Sequence, residues 1–181
     1  EVTREIGCPT MYVTHDQEEA MTMSDRVAVM DEGHPAQIDT PSNIYNDPNS
    51  RFVGEFMGMP SMEFFEATLS NGSGTVSFEL GEQTWTLPSA NGLSEHVGQT
   101  VQIGVRPQDM EVVDDPSQGI PASHVLDEPL GDQTHSIFDT DYGRVTVVTP
   151  PTFVGDGEDY GLVIDETKTK VFDASSGVRI G

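Results

Sequence analysis

The chain has 181 residues, 35% of them hydrophobic, and its 18 glycines bring the apolar share near the globular norm, which does not indicate disorder and allows one large domain or two small ones. Its 31 acidic against 8 basic residues give a formal net charge of −23. Such a surface repels nucleic-acid phosphate and anionic membrane and argues against both as direct partners.

Only two of the basic residues are lysines, Lys168 and Lys170. Self-repulsion of this size weakens a compact state in dilute buffer, whereas at about 1 M salt the Debye length is about 3 Å and the repulsion is largely screened. The expectation is a salt-adapted host. The one cysteine, Cys8, excludes an internal disulfide, suits a reducing cytoplasm and has no basic neighbour closer than Arg4 to activate it. No apolar run approaches the roughly 20 residues of a spanning helix, and no signal peptide opens the chain, so direct membrane insertion is not expected.

Residues 9–15 read as the end of a buried strand. Asp16 then caps a short helix, with Glu19 three places on in a capping-box spacing, and the helix ends near Ser24-Asp25. A strand over residues 26–30 turns at Asp31-Glu32-Gly33 and returns through residues 36–39, with Pro35 marking an edge or a strand start. Thr40-Pro41 opens a further helix through Ile44 and Tyr45. Another runs from about Asn49 to Met57 with Phe52, Val53, Phe56 and Met57 on one face, stopped by Gly58 and Pro60.

Beyond Pro60 the pattern changes to short alternating strands between turn clusters, as in a small barrel or sandwich. Residues 65–69, the turn Asn71-Gly72-Ser73-Gly74, and Val76, Phe78 and Leu80 make a first hairpin. Residues 83–87 follow, and then Val101, Ile103 and Val105 before Arg106-Pro107. Residues 114–119 read as a connector. Two further hairpins are expected around Asp139-Thr140-Asp141-Tyr142-Gly143 and Asp165-Glu166-Thr167.

His15 falls where a strand is expected to end and a helix to begin, the place at which open α/β sheets bind ligands and free backbone N–H groups favour anions. There an imidazole can give a charge-assisted hydrogen bond to a phosphate oxygen. On its residue type alone, a structural histidine is the competing reading.

The run Thr14-His15-Asp16-Gln17-Glu18-Glu19-Ala20-Met21, then Ser24-Asp25-Arg26-Val27-Ala28-Val29-Met30, Ala36-Gln37, Pro41 and Tyr45, resembles the end of the nucleotide-binding domain of ABC importer ATPases. His34-Pro35 departs from it, since that family usually carries a basic residue and then Val or Ile after the turn glycine. Met57-Gly58-Met59-Pro60-Ser61-Met62-Glu63-Phe64 is similar to the Gly-Ser-Pro-x-Met-Asn-Phe junction of the carbohydrate-importing branch, with Glu63 in place of asparagine. Ile103-Gly104-Val105-Arg106-Pro107-Gln108-Asp109 is similar to that branch's Gly-Ile-Arg-Pro-Glu stretch, which lies in an OB-fold-like regulatory barrel, often called TOBE.

The resemblance implies a mainly β chain: residues 1–59 as the C-terminal end of an ABC nucleotide-binding domain, an incomplete α/β remnant, and residues 60–181 as the OB-fold-like regulatory domain. It implies that His15 is the switch histidine that contacts the γ-phosphate of ATP in the intact subunit, so His15 is the catalytic and cofactor-binding candidate. ATP and Mg are the implied cofactors of that subunit. The implied partners are a second ATPase copy, membrane permease subunits and a regulatory protein, and the implied location is cytoplasmic, peripheral at the inner membrane face.

Hydrolysis in that superfamily needs a G-x-x-x-x-G-K-[ST] phosphate loop, and neither Lys168 nor Lys170 has that glycine frame. This chain alone is therefore expected not to hydrolyse ATP, and no catalytic acid or base is assigned in it. Two other readings stand beside this one: a free-standing OB-like module binding a small oxyanion, and a purely structural dimerisation piece. No metal site is expected. Asp139-x-Asp141-x-Gly143 and Asp156-Gly157-Glu158-Asp159 lack the full calcium-loop pattern, and His34, His96, His124 and His135 lack short metal-ligand spacing. Asn71-Gly72-Ser73 has the form of a glycosylation sequon, but a cytoplasmic turn would not be modified.

Overall fold

The computed structural model describes residues 9–71, 75–87 and 92–181, and the chain divides into two units, Glu1–Asp47 and Pro48–Gly181. Cys8 and the turn residues 72–74 lie outside the described residues, with the sequence readings made on them.

In the first unit, local chemistry sets the elements. Asp16 accepts from the Glu19 N–H at 3.1 Å and starts helix α1, Gln17–Met23. Strands β1, Val27–Asp31, and β2, His34–Asp39, pair antiparallel with Asp31 opposite His34. That register leaves Glu32 and Gly33 as a two-residue loop with φ of 46° and 83°, the pair of positive values a type I′ turn requires. The register slips between Val29 and Met30, where Met30 faces Pro35, a residue with no N–H to give to a ladder. Thr40 accepts from the Asn43 N–H to cap α2, Pro41–Asn46, and Ile44 of that helix is fully buried.

One expectation for this unit does not hold. Residues 9–14 form no strand, and Met11 and Val13 are 93% and 87% exposed. A buried strand needs a ladder neighbour, and among the described residues no strand pairing includes this segment.

The second unit begins with α3, Arg51–Phe56, capped by Ser50. This helix packs within the second unit. Of its expected apolar face, Val53 and Met57 are buried, while Phe56 stays 47% exposed and stacks on Phe52 at 5.8 Å.

Ten strands follow: β3 Glu63–Asn71, β4 Val76–Leu80, β5 Gln83–Leu87, β6 Thr100–Val105, β7 Met110–Val113, β8 Ile120–Pro129, β9 Thr134–Thr140, β10 Gly143–Thr149, β11 Asp159–Ile164 and β12 Lys170–Asp173. They form two five-stranded sheets, ordered β10-β9-β8-β11-β7 and β12-β6-β3-β4-β5, with the strand pairs antiparallel. Alternate residues such as Phe65 and Leu69 of β3, Val101, Ile103 and Val105 of β6, and Val145 and Val147 of β10 point into one core drawn from both sheets. The chain is thus mainly β, as its alternation predicts.

The hairpin expected at Asp139 to Gly143 forms: β9 and β10 pair with Thr140 opposite Gly143. The one expected at Asp165-Glu166-Thr167 does not, because β11 pairs with β7 and β8 whereas β12 pairs with β6 in the other sheet. Asp165 makes a tight local turn by accepting from the Thr167 N–H and hydroxyl at 2.9 and 2.6 Å. Turn chemistry is therefore present, but the apolar faces of the strands choose the partners.

Arg106 locks α3 onto the sheets. It follows β6, is 4% exposed, and its Nη1 donates to the Gly54 carbonyl at 3.0 Å and to the Met57 carbonyl. These carbonyls belong to the last turn and C-cap of the helix, where acceptors have no intrahelical donor and the dipole favours a cation. The close fit also requires Gly104: a Cβ there would meet the Phe172 ring at 2.7 Å and the Met62 sulfur at 2.8 Å. Arg106→Met, which keeps bulk but removes the guanidinium donor from both carbonyls, is expected to lower unfolding free energy by about 2–4 kcal/mol, measured by urea denaturation. An unchanged midpoint would remove Arg106 from this role.

Candidate functional site

His15 lies in a bend directly before the Asp16 cap and is exposed. The backbone around it is pinned from both sides. The Asp16 N–H donates to Thr14 Oγ1 at 2.9 Å, and the Thr14 and Tyr12 hydroxyls both donate to Glu19 Oε2 at 2.9 Å. The capping box is thus only half made: Asp16 receives the Glu19 N–H, but the Glu19 carboxylate turns to Thr14 and Tyr12 instead of to the cap backbone. The hydrogen bond to Glu19, then its charge, pushes the exposed Tyr12 phenol above its ordinary pKa. The result is an exposed imidazole on an ordered turn beside a helix N-terminus.

The other histidines are scattered. The His34 ring contacts the Glu32 carbonyl at 3.3 Å, the His96 ring meets Gln99 at 2.9 Å, and the His135 ring meets Gln133 at 3.3 Å. His124 is buried against Asp127 at 3.1 Å, with Phe138, Phe153 and Tyr160 around its ring. The aspartates of the two calcium-like stretches have protein partners: Asp139 with Arg144 at 2.9 Å, and Asp156 with the Tyr160 hydroxyl at 2.8 Å. Among the described residues no group of three or more His, Cys, Asp or Glu could hold a metal ion.

The two motifs on which the sequence resemblance rests in the second unit meet around α3. Met62 and Phe64 line the space that Gly54 and Gly104 leave open, and Arg106 reaches the helix end. Glu63 lies at the start of β3 in one sheet and accepts from the Thr146 N–H of β10 in the other at 2.8 Å. Burial pushes its carboxyl above the ordinary range, against the opposing effect of the Thr146 hydrogen bond. Spacing along the chain does not reveal the Arg106 and Glu63 contacts, because each spans more than 45 residues of chain to a backbone group.

Residues 58–110, which start just past α3 and include Glu63, Gly104 and Arg106, match the family described as the MalK OB fold domain. The chain is 36% identical over 184 residues to the xylose/arabinose import ATP-binding protein XacK of Haloferax volcanii, covering 96% of this chain and 46% of that protein. It is 36% identical over 162 residues to the sn-glycerol-3-phosphate import ATP-binding protein UgpC of Vibrio vulnificus, covering 84% and 41%. The trehalose/maltose import ATP-binding protein MalK of Thermococcus litoralis is 34% identical over 190 residues, covering 98% and 50%. The chain is thus similar to ATP-binding proteins of import systems, those for xylose/arabinose and trehalose/maltose among them.

It spans about half the length of the curated relatives it matches. Among solved structures, the cytoplasmic molybdate-binding protein ModG matches at 15% identity with a TM-score of 0.45, over 60% of this chain and 94% of that one, a likeness too slight to bear on ligand.

The half-buried Glu63 carboxyl makes this segment sensitive to pH. With a folded pKa above the unfolded one, the folded protein holds a proton that the unfolded chain has released. Stability therefore falls as pH rises from the ordinary glutamate value, about 4.3, through the raised one. Glu63→Gln keeps an oxygen for the Thr146 N–H and carries no charge. Its melting temperature is expected to exceed the parent's at neutral pH, with the gap closing as pH falls to about 4. A gap independent of pH in melts followed by circular dichroism would contradict this account.

Proposed function

We propose that this chain is the C-terminal part of the ATP-hydrolysing subunit that powers a carbohydrate ABC importer. In this reading residues 1–59 end the nucleotide-binding domain and residues 60–181 form the dimerisation and regulatory domain. The observation that carries it is kinship to import ATP-binding proteins across both units, from 84% to 98% of the chain, with the MalK OB fold domain inside it. A free-standing oxyanion module accounts for the second unit only.

His15 is the switch histidine of the intact subunit, donating to the γ-phosphate of bound ATP. Its exposure on a turn held by Thr14, Asp16 and Glu19 supports that role, since the ring is free to face a ligand while its backbone is held. ATP with Mg is the cofactor of the intact subunit. The phosphate loop, signature loop and catalytic glutamate lie in sequence other than these 181 residues. A second ATPase copy, the permease subunits and a regulatory protein are the partners, at the inner face of the cell membrane. Among the described residues no helix is long and apolar enough to cross a membrane.

His15→Ala in the intact subunit is expected to lower ATP turnover by at least about tenfold while ATP binding persists, since it removes one hydrogen-bond donor to developing phosphate charge. Parent-level turnover would exclude the role.

The charge of −23 further supports adaptation to high salt. Raising KCl from about 0.1 M to about 1 M shortens the Debye length from about 10 Å to about 3 Å, so the urea midpoint of this chain is expected to rise over that range. A flat or falling midpoint would sink the salt-adaptation reading.

A further inference from the structure

A six-residue helix makes too few internal hydrogen bonds to persist alone. Arg106 holds the C-terminal end of α3, and its N-terminal end is held by the last residues of this sequence. After β12 the chain turns at Asp173, whose Oδ1 accepts from the Ser175 and Ser176 hydroxyls and, at 2.7 Å, from the Ser176 N–H. These bonds hold its carboxyl well below the usual range. Gly177 then takes a left-handed φ of 68°, and the chain runs back alongside β12.

The returning residues 178–180 are bonded on both edges. On one side the Asp173 N–H donates to the Val178 carbonyl and the Ile180 N–H to the Val171 carbonyl, each at 2.8 Å. On the other side the Arg179 N–H donates to the Asn49 carbonyl at 3.0 Å and the Arg51 N–H to the Gly177 carbonyl at 2.7 Å, with Ser50 opposite Val178. Residues 49–51 are the first backbone after Pro48, where the second unit begins. Ser50 is also the residue that caps α3.

The two edges are unequal. Towards β12 the seam is backed by Val171 and Phe172, both buried in the unit. Towards residues 49–51 two backbone bonds cross it, and Val178 is 53% exposed. Few buried apolar contacts and exposed backbone bonds are what distinguish segments that open locally from those that open only with the whole fold.

We propose that residues 177–180 are a latch on the segment with which the second unit begins. Closed, it makes residues 49–51 part of the second unit and keeps the α3 cap in place. Open, it releases those residues and the α3 cap while the two sheets stay folded. This inference uses only bonds within the second unit and does not depend on the transporter reading.

The test is amide hydrogen exchange on the full 181-residue chain and two variants. Gly177→Ala places a Cβ on a left-handed backbone, and Arg179→Pro deletes the N–H that bonds Asn49. In both variants the Arg51 and Gly54 amides are expected to exchange at least about fivefold faster, as loss of one or two backbone bonds in a locally opening segment allows. Amides of β3 and β6, such as Phe65 and Ile103, keep the parent rate. Parent-level protection at Arg51 would overturn the latch. So would equal acceleration of Arg51, Phe65 and Ile103, or failure of both variants to fold, since either would make these residues part of the cooperative core.

Discussion

The second unit depends on a cation buried under a helix end. Short α3 cannot satisfy its own last carbonyls, and an arginine one strand away in space, but about fifty residues on in sequence, supplies the donors. Burying a guanidinium costs several kcal/mol unless its hydrogen bonds are made, so Arg106 and the helix end require each other. Gly104 and Gly54 bring the backbones near enough for this, and Met62 and Phe64 fill the space that their missing side chains leave. The glycine and arginine of the Gly-Val-Arg-Pro stretch are thereby explained as packing and capping residues.

From that anchor the two sheets are tied by side chains that reach backbone groups across the unit. Glu63 takes the Thr146 N–H of the edge strand β10, and Glu166 takes the Thr86 N–H of the edge strand β5 at 2.6 Å. The Tyr142 hydroxyl accepts from the Gly81 N–H at 2.8 Å while its ring packs edge-on against Phe65. An open edge invites pairing with another chain, and an acceptor seated on its outward N–H blocks that pairing with a charge. A strongly acidic chain has carboxylates to spare for this, and here two of them serve as edge caps.

The first unit has a different balance. Its caps and its two-residue turn form as local chemistry dictates, but its apolar residues Met11, Val13, Met23, Met30 and Ile38 remain largely exposed. His15 fits that picture: its position comes from Thr14, Asp16 and Glu19, which are its sequence neighbours, and no packed core directs it. The similarity to import ATP-binding proteins reaches this unit as well as the sheets.

What the sequence determined by itself is the local layer: the caps at Asp16 and Thr40, the Glu32-Gly33 turn, the β alternation beyond Pro60, the β9–β10 hairpin and the motifs around His15 and Arg106. These rest on interactions within about four residues or on a period of two, and both can be read along a chain. The tertiary structure alone decided that residues 9–14 lack a strand partner, that α3 packs with the sheets, and that β11 and β12 part at Asp165 to join different sheets. It alone gave Arg106, Glu63 and Glu166 their partners. In each case the deciding group is a backbone donor, acceptor or apolar face tens of residues away, and a backbone group has no residue type by which a sequence could announce it.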